Sequence, residues 1–439
     1  MEISGPVLAS GKLLVIFGLL VLMIRMRVAL WLTILAACLV MALMTGIMPA
    51  SWPGIVWGVL TDQSFVVLCL MIWLIIFLSS VQDAAGQNRK LVRGLERYIK
   101  SPRIRLVLFP ALVGLLPMPG GALFSCPMIK AAARDMGVSN EKKTLINYWF
   151  RHIWELAWPL YPGYALTCTL LDIPITSLWR FTFPLVLIAF ATGWFFFMRD
   201  LARSPLLRQG AGRDSAGEDG PGESLGAALL HALPIGVTLI GAGVFGFLFD
   251  RFFPELPGQI AFSLSLALAI GVAYYQGRAE MKTPLLRLTF SRNVGRILLL
   301  LAAVYLFKEV IALGGLVREL GDLGAGPFMV LPACFLIPFI SGLLTGILVG
   351  LVGVALPIIL GLIDHSAMQA YLAPLAVLTL VTGNGGQLLS PVHVCLVVTC
   401  EFFTTPLAGA WRALLVPTAV LMAGGALLAL ALALLGVSF

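Results

Sequence analysis

Long apolar runs alternate along the chain with short polar segments that are mostly basic. Runs long enough to cross roughly 30 Å of hydrocarbon fall at 13–24 (extendable backwards), 28–49, 64–82, 144–170, 180–198, 227–248, 257–275, 297–313, 367–403 and 412–437. Two more, 104–133 and 328–362, are interrupted by Pro119-Gly120-Gly121 and by Ser341-Gly342-Leu343-Leu344-Thr345-Gly346. Each half of these is short for a crossing, so the pattern predicts re-entrant helical hairpins, enclosed by protein because exposed backbone is costly in lipid. Run 367–403 is too long for one helix and is predicted to break at Thr382-Gly383-Asn384-Gly385-Gly386-Gln387; run 144–170 is predicted to break at Pro159-Leu160-Tyr161-Pro162-Gly163. The first run has no small-residue cleavage site and leads straight into the second, so it reads as a first transmembrane helix rather than a removed signal peptide.

The basic residues orient these spans. With the N-terminus outside, 23 Lys and Arg fall in cytoplasmic segments and four on the other face, the bias expected of a multi-pass protein. The expectation is ten spans, two hairpins opening to opposite sides, and both termini outside. The basic stretches 88–105 and 280–296 read as interfacial helices. Segment 200–224, rich in Ser, Gly, Pro and charge, reads as a flexible cytoplasmic linker.

That linker separates residues 1–199 (spans 1–5, hairpin 104–133) from residues 225–439 (spans 6–10, hairpin 328–362). Shifting the first part by 222 positions lays Pro110-Ala111 over Pro332-Ala333, Gly120 over Gly342, and Pro162-Gly163 over Asn384-Gly385. Each part has an odd number of full crossings, so the second is inserted upside down. The predicted fold is an all-α integral membrane protein of two inverted-topology repeats, the plan of many secondary transporters.

Composition agrees. Of 439 residues, 60% are hydrophobic and 11% charged, against roughly 45–50% and 25% in soluble domains. The formal charge of +8 does not point to nucleic acid, because the basic residues sit in loops between spans. The seven cysteines lie almost entirely in apolar runs, without a CxxC or a Cys/His spacing for metal, and read as small buried hydrophobes. There is no P-loop, G-x-S-x-G or dinucleotide fingerprint, so neither an enzyme nor an organic cofactor is expected. Any pumping would draw on an ion gradient.

Candidate chemistry lies at the breaks. A helix start in hydrocarbon presents free N–H groups that suit an anion, and unwound carbonyls suit Na⁺. The predicted substrate site takes Pro119, Gly120, Gly121 and Ser125 from the first tip and Pro162 and Gly163 from the first broken span. It takes Ser341, Gly342 and Thr345 from the second tip, and Asn384, Gly385, Gly386, Gln387, Ser390 and His393 from the second broken span. Gly120, Ser125, Thr345 and Asn384 are the positions expected to meet Na⁺. Gly and Pro also act as kinks and small packing residues; four breaks paired by one offset favour the site.

Ionisable groups within spans cost roughly 2.5–3.5 kcal/mol to insert, which makes them functional candidates. Asn147, Arg151 and Glu155 recur at i, i+4, i+8, with His152 beside them. Either Arg151 and Glu155 neutralise each other, or Arg151 binds a substrate carboxylate while His152 and Glu155 carry a proton; the spacing supports both. His152-x-x-Glu155 by itself does not make a metal site. Lys308-Glu309 read as structural, and Glu401 and Asp364-His365 as interfacial. Trp52, Trp57, Trp149, Trp154, Trp158 and Trp179 suit membrane-interface belts.

Together, Leu116-Pro117-Met118-Pro119-Gly120-Gly121-Ala122-Leu123-Phe124-Ser125, Asn147-Tyr148-Trp149-Phe150-Arg151-His152-Ile153-Trp154-Glu155 and Ser341-Gly342-Leu343-Leu344-Thr345-Gly346 resemble the bacterial and archaeal membrane family catalogued as domain of unknown function 401. That family is grouped with the ion transporter superfamily of dicarboxylate, citrate and gluconate permeases and some Na⁺/H⁺ antiporters. The resemblance covers nearly the whole chain. It implies a scaffold of the first spans of each half, a transport part holding hairpins and broken helices, elevator-like motion, a homodimer, and the cytoplasmic (inner) membrane. Sodium–dicarboxylate members carry Ser-Asn-Thr at both tips, where this chain has Pro119-Gly120-Gly121 and Ser341-Gly342-Leu343. A dicarboxylate and a two-sodium site therefore do not carry over.

The resulting expectation is a secondary active transporter of a small organic anion, a carboxylate by preference, coupled to Na⁺ or H⁺. Its partners are that anion, membrane lipid and a second copy. Two rivals remain: a Na⁺/H⁺-type cation antiporter of the same architecture, and a membrane enzyme or assembly factor acting on lipid-linked substrates.

Overall fold

Apolar runs punctuated by Gly and Pro become helices joined by short turns. In a computed structural model the described residues are 5–96, 98–99, 101–115, 121–134, 136–201, 224–253, 255–256, 258–289, 292–315, 327–364, 366 and 368–439, with no strand among them. In chain order the first half gives α1 (Gly5–Arg25), α2 (Leu30–Met44), α3 (Trp52–Thr61), α4 (Gln63–Ala84) and α5 (Gln87–Glu96). It continues with α6 (Pro102–Gly114), α7 (Gly121–Ala132), α8 (Asn140–His152), α9 (Pro162–Leu170) and α10 (Ile175–Gly193, continued by a π turn at Trp194–Met198). The second half gives α11 (Leu225–Leu230), α12 (Leu233–Phe252), α13 (Gly258–Gly277), α14 (Leu285–Thr289) and α15 (Arg292–Leu313). It ends with α16 (Pro327–Thr345), α17 (Leu348–Asp364), α18 (Leu372–Leu388), α19 (Val394–Phe402) and α20 (Leu407–Leu434).

Among the described residues, five helices are long and apolar enough to cross a membrane: Gln63–Ala84, Ile175–Met198, Gly258–Gly277, Phe328–Thr345 and Leu407–Leu434. Large apolar side chains also cover the outside, Leu43, Phe247, Phe328 and Leu434 among them. In water so much exposed apolar surface would drive association; against hydrocarbon it carries no such penalty, which supports a membrane protein.

The interior has two main cores, each assembled from both halves. One gathers Leu68, Met71, Tyr164, Leu266, Val304 and Leu351, from α4, α9, α13, α15 and α17. The other gathers Trp149, Phe150, Leu185, Val381, Leu396 and Leu421, from α8, α10, α18, α19 and α20. The helix neighbours come in matched sets. α2 packs on α15 and α4 on α13; α6 packs on α8 and α16 on α18; α7 packs on α19 and α9 on α17.

The basic ends also meet. Lys90 of α5 forms an ion pair with Glu280, and the Gln87 amide donates to the Ala273 carbonyl (2.8 Å). Stretches 88–105 and 280–296 thus share one end of the molecule, and each holds a short helix there, α5 and α14.

One expected break is displaced, and another falls at the last residue of its expected segment. Thr382 to Gln387 remain helical within α18, and the chain departs only at Leu389–His393, around Pro391. The glycines there serve packing instead of unwinding. A Cβ on Gly386 would run into the Phe339 carbonyl of α16, and one on Gly342 into the Gly383 carbonyl of α18. Glycine weakens a solvated helix, but between two membrane helices it permits close backbone approach, and the helix persists. For the same reason α16 runs unbroken through Ser341 to Thr345, long enough to cross rather than the short arm expected. The turn falls at Gly346, whose φ of +64° is a region glycine enters without a side-chain clash.

Candidate functional site

α8 carries the chain into the middle of the second core, and its seating is specific. The Tyr148 hydroxyl donates to the Leu388 carbonyl at the end of α18 (3.0 Å), and the Trp149 indole donates to the Ala189 carbonyl of α10 (2.9 Å). After His152 the backbone tightens into a 3₁₀ turn, Ile153–Leu156, and then leaves helical geometry until Pro162 opens α9. Proline suits that first helical position, where its missing N–H is not needed.

The aromatic residues of this bend satisfy another helix end. Trp154 donates to the Ala111 carbonyl (2.9 Å), Trp158 to that of Leu115 (2.8 Å) and Tyr161 to that of Gly114 (2.6 Å). These carbonyls lie at the end of α6, where the last turn runs out of helical donors; the Ala111 carbonyl also accepts from the Leu115 N–H (3.1 Å). Trp149, Trp154 and Trp158 therefore belong to the interior and not to the interface belt expected of them. Trp57 and Trp179 are exposed.

Around the end of α8 lies a buried polar cluster built from three segments. Arg151, His152 and Glu155 come from the α8 bend, Asn384 and Gln387 from the last turns of α18, and Ser390, His393 and Cys395 from the break into α19. The Gln387 amide donates to the Glu155 carboxylate. Arg151 Nη1 lies 3.3 Å from His152 Nε2 and 3.3 Å from Cys395 Sγ. The two imidazoles meet with their Nε2 atoms 3.0 Å apart, and His152 Nε2 is 3.9 Å from a Glu155 oxygen.

The His152 tautomer follows from its partners. Nδ1 faces the Tyr148 carbonyl at 2.5 Å; a carbonyl only accepts, so Nδ1 carries the proton and Nε2 presents its lone pair. That lone pair then accepts from Arg151 and from His393. Arg151 and Glu155 form no direct ion pair within 4.0 Å among the described residues, yet each lies within electrostatic reach of the other. Glu155 sits in the 3₁₀ turn, off the helical face assumed for i, i+4, i+8, and Asn147 points elsewhere, to the Ala122 carbonyl, Cys126 Sγ and Thr399 Oγ1.

Several buried polar atoms of the cluster have no hydrogen-bond partner among the described residues: both side-chain atoms of Asn384, Gln387 Oε1, Ser390 Oγ and Arg151 Nε. Buried polar groups are normally satisfied, and leaving one unpaired costs about 1–3 kcal/mol. So many together mark a place that a polar ligand or water completes. A narrow cleft brings Asn384 against His152 and Trp149, with no room for a water-sized sphere. A roomier cleft of about 390 Å³, lined by Asp62, Tyr305, Lys308 and Glu309, lies at the other core and away from this chemistry.

Other expected site residues separate from the cluster. Pro119 and Gly120 lie outside the described residues, and Gly121 opens α7. The Ser125 hydroxyl bonds back to the Gly121 and Ala122 carbonyls (3.2 Å each), and Thr345 to the Ser341 carbonyl (2.8 Å). Pro162 starts α9, and Gly163 packs on Leu348 and Val349 of α17. Gly385 and Gly386 are packing positions against α20 and α16, while buried Ser341 keeps an unpartnered hydroxyl. Of the four positions assigned to Na⁺, Asn384 alone has free polar atoms among the described residues.

Cys395 and Tyr148 were not expected in the site. Cys395, read as a small hydrophobe, receives Arg151; its signal was its place two residues after His393. Cys126 likewise receives the Asn147 amide. Nothing along the chain ties either to its partner.

Compared with known proteins, residues 9–212 and 256–434 match the family described as Protein of unknown function (DUF401), and the chain belongs to that family. No curated protein matches it.

Proposed function

We propose that this member of a family without an assigned activity is a secondary active transporter of a small organic anion, with a carboxylate as the preferred group. The observation that carries the reading is Arg151, a buried guanidinium with no carboxylate within 4.0 Å among the described residues, beside atoms of Asn384, Gln387 and Ser390 that have no partner there. A buried cation needs a counter-charge, and an anion entering the cluster supplies one while satisfying the amides. The start of α19 adds free N–H groups at its positive end.

The matched helix neighbours support an inverted repeat. Exchanging each helix of one half for its counterpart turns α2 on α15 into α13 on α4, and α7 on α19 into α17 on α9. In this reading α6–α7 and α16–α17 are counterpart helix pairs, the second with a longer first arm than a re-entrant hairpin needs. The core around α8, α18 and α20 moves as an elevator against the core around α4 and α13, through which two copies pair in the cytoplasmic membrane. Na⁺ or H⁺ supplies the drive.

The test is thermal stability of the purified protein against a panel of small carboxylates, in Na⁺ and with choline replacing it. A ligand at ~100 times its dissociation constant adds about 2.7 kcal/mol. Stabilisation that disappears in Arg151→Gln is the expected result; a panel silent in every salt would overturn the reading. The buried Glu155–Gln387 contact favours a second reading, a cation/proton antiporter in which Glu155 holds the cation. A response to Na⁺ alone, abolished in Glu155→Gln, would select it.

A further inference from the structure

His152, His393 and Cys395 each offer a ligating atom, and these atoms lie within 4.8 Å of one another. From this geometry we infer a binding site for a borderline-soft divalent transition metal such as Zn²⁺ or Co²⁺. Two imidazoles and a thiolate are the donor set that such ions prefer over Na⁺, Mg²⁺ or Ca²⁺. The observation independent of the cluster itself is the state of His152. Its Nδ1 proton is fixed on the Tyr148 carbonyl and its Nε2 lone pair is directed inward, the arrangement found when histidine ligates a metal and the outer nitrogen sets the tautomer. A Glu155 oxygen, 3.9 Å from that Nε2, is placed to become the fourth ligand.

Arg151 decides how such a site behaves. Its Nη1 contacts His152 Nε2 and Cys395 Sγ at 3.3 Å each, so the guanidinium covers the lone pairs that a metal needs. Metal and guanidinium exclude one another. When the ion binds, Cys395 gives up its thiol proton to solvent, the His393 proton passes from Nε2 to the unpartnered Nδ1, and the guanidinium withdraws from both ligands. The metal is thus an antagonist of any anion that Arg151 holds. The site stands on ligand geometry alone, so it is measured without an anion, while anion binding is measured with a chelator present.

Metal-stripped wild-type protein is titrated with Co²⁺ alone and its absorption recorded. The expected result is one equivalent bound, with a thiolate-to-cobalt charge-transfer band that is lost in Cys395→Ser and kept in Cys168→Ser, a cysteine of α9 outside the cluster. No such band in the wild type, or an undiminished band in Cys395→Ser, overturns the proposal. Should Cys395→Ser fail to fold, Arg151→Gln decides: with the competing cation removed it binds Co²⁺ more tightly than wild type, and equal or weaker binding overturns the proposal.

Discussion

The side-chain amide of Gln387 donates to the carboxylate of Glu155 across 232 positions of sequence, tying the last turn of α18 to the bend after α8. Both groups are buried, and the second amide atom, Gln387 Oε1, is left without a partner. Glu155→Gln keeps a hydrogen-bonding group of the same size, because an amide can turn its oxygen toward Gln387. The variant is expected to fold with an unchanged melting temperature and to lose any dependence of uptake on the proton gradient. Gradient-dependent uptake persisting in the variant would remove Glu155 from the coupling path.

Asn384 separates function from stability. Its side chain has no hydrogen bond to lose among the described residues, so Asn384→Ala should leave the melting temperature within a degree or two while abolishing uptake. Asn147→Ala is the contrast. It removes the amide that links α7, α8 and α19 through Ala122, Cys126 and Thr399, at a cost of about 1–3 kcal/mol. A matching loss of stability in both variants would mean that Asn384 is structural.

The contact of α16 with α18 is a steric prediction. Gly386→Ala places a methyl group on the Phe339 carbonyl, and overpacking of this kind costs about 1–3 kcal/mol. Gly243→Ala in α12, where nothing lies within 4 Å of the added carbon, should leave thermal stability unchanged or slightly raised. Equal melting temperatures for the two variants would contradict the close approach.

Trp158→Phe and Tyr161→Phe keep ring volume and remove the donors that cap α6. Each should cost about 1 kcal/mol and speed amide exchange in the last turn of α6, with exchange in α4 unaltered. Unaffected exchange in α6 would show the caps to be dispensable.

Much of the helical plan is legible in the sequence because runs of Leu, Val, Ile and Ala spaced by basic loops leave few alternatives in hydrocarbon. The breaks were harder. Pro162 and Pro391 mark true helix ends, since proline removes a donor and clashes with the preceding turn. Gly383, Gly385 and Gly386 look like a break along the chain and are a packing surface in space; glycine composition alone does not distinguish the two. In the site, Arg151, His152, Glu155, Gln387 and His393 stand out as polar groups in apolar runs. Cys395 and Tyr148 do not, because their roles depend on partners hundreds of positions away.

The shared construction of both cores bears on how the protein is made. When Arg151, His152 and Glu155 leave the ribosome, the residues that meet them, from Gln387 to Cys395, are still untranslated. Tyr148 likewise waits 240 positions for the carbonyl it binds. The helices of the first half must therefore hold their polar groups in temporary company, lipid headgroups or insertion machinery, and reach final packing only once synthesis is nearly over. Neither half is a folding unit alone. Expressed separately, each should be cleared by proteolysis, and co-expressed, the two should protect one another.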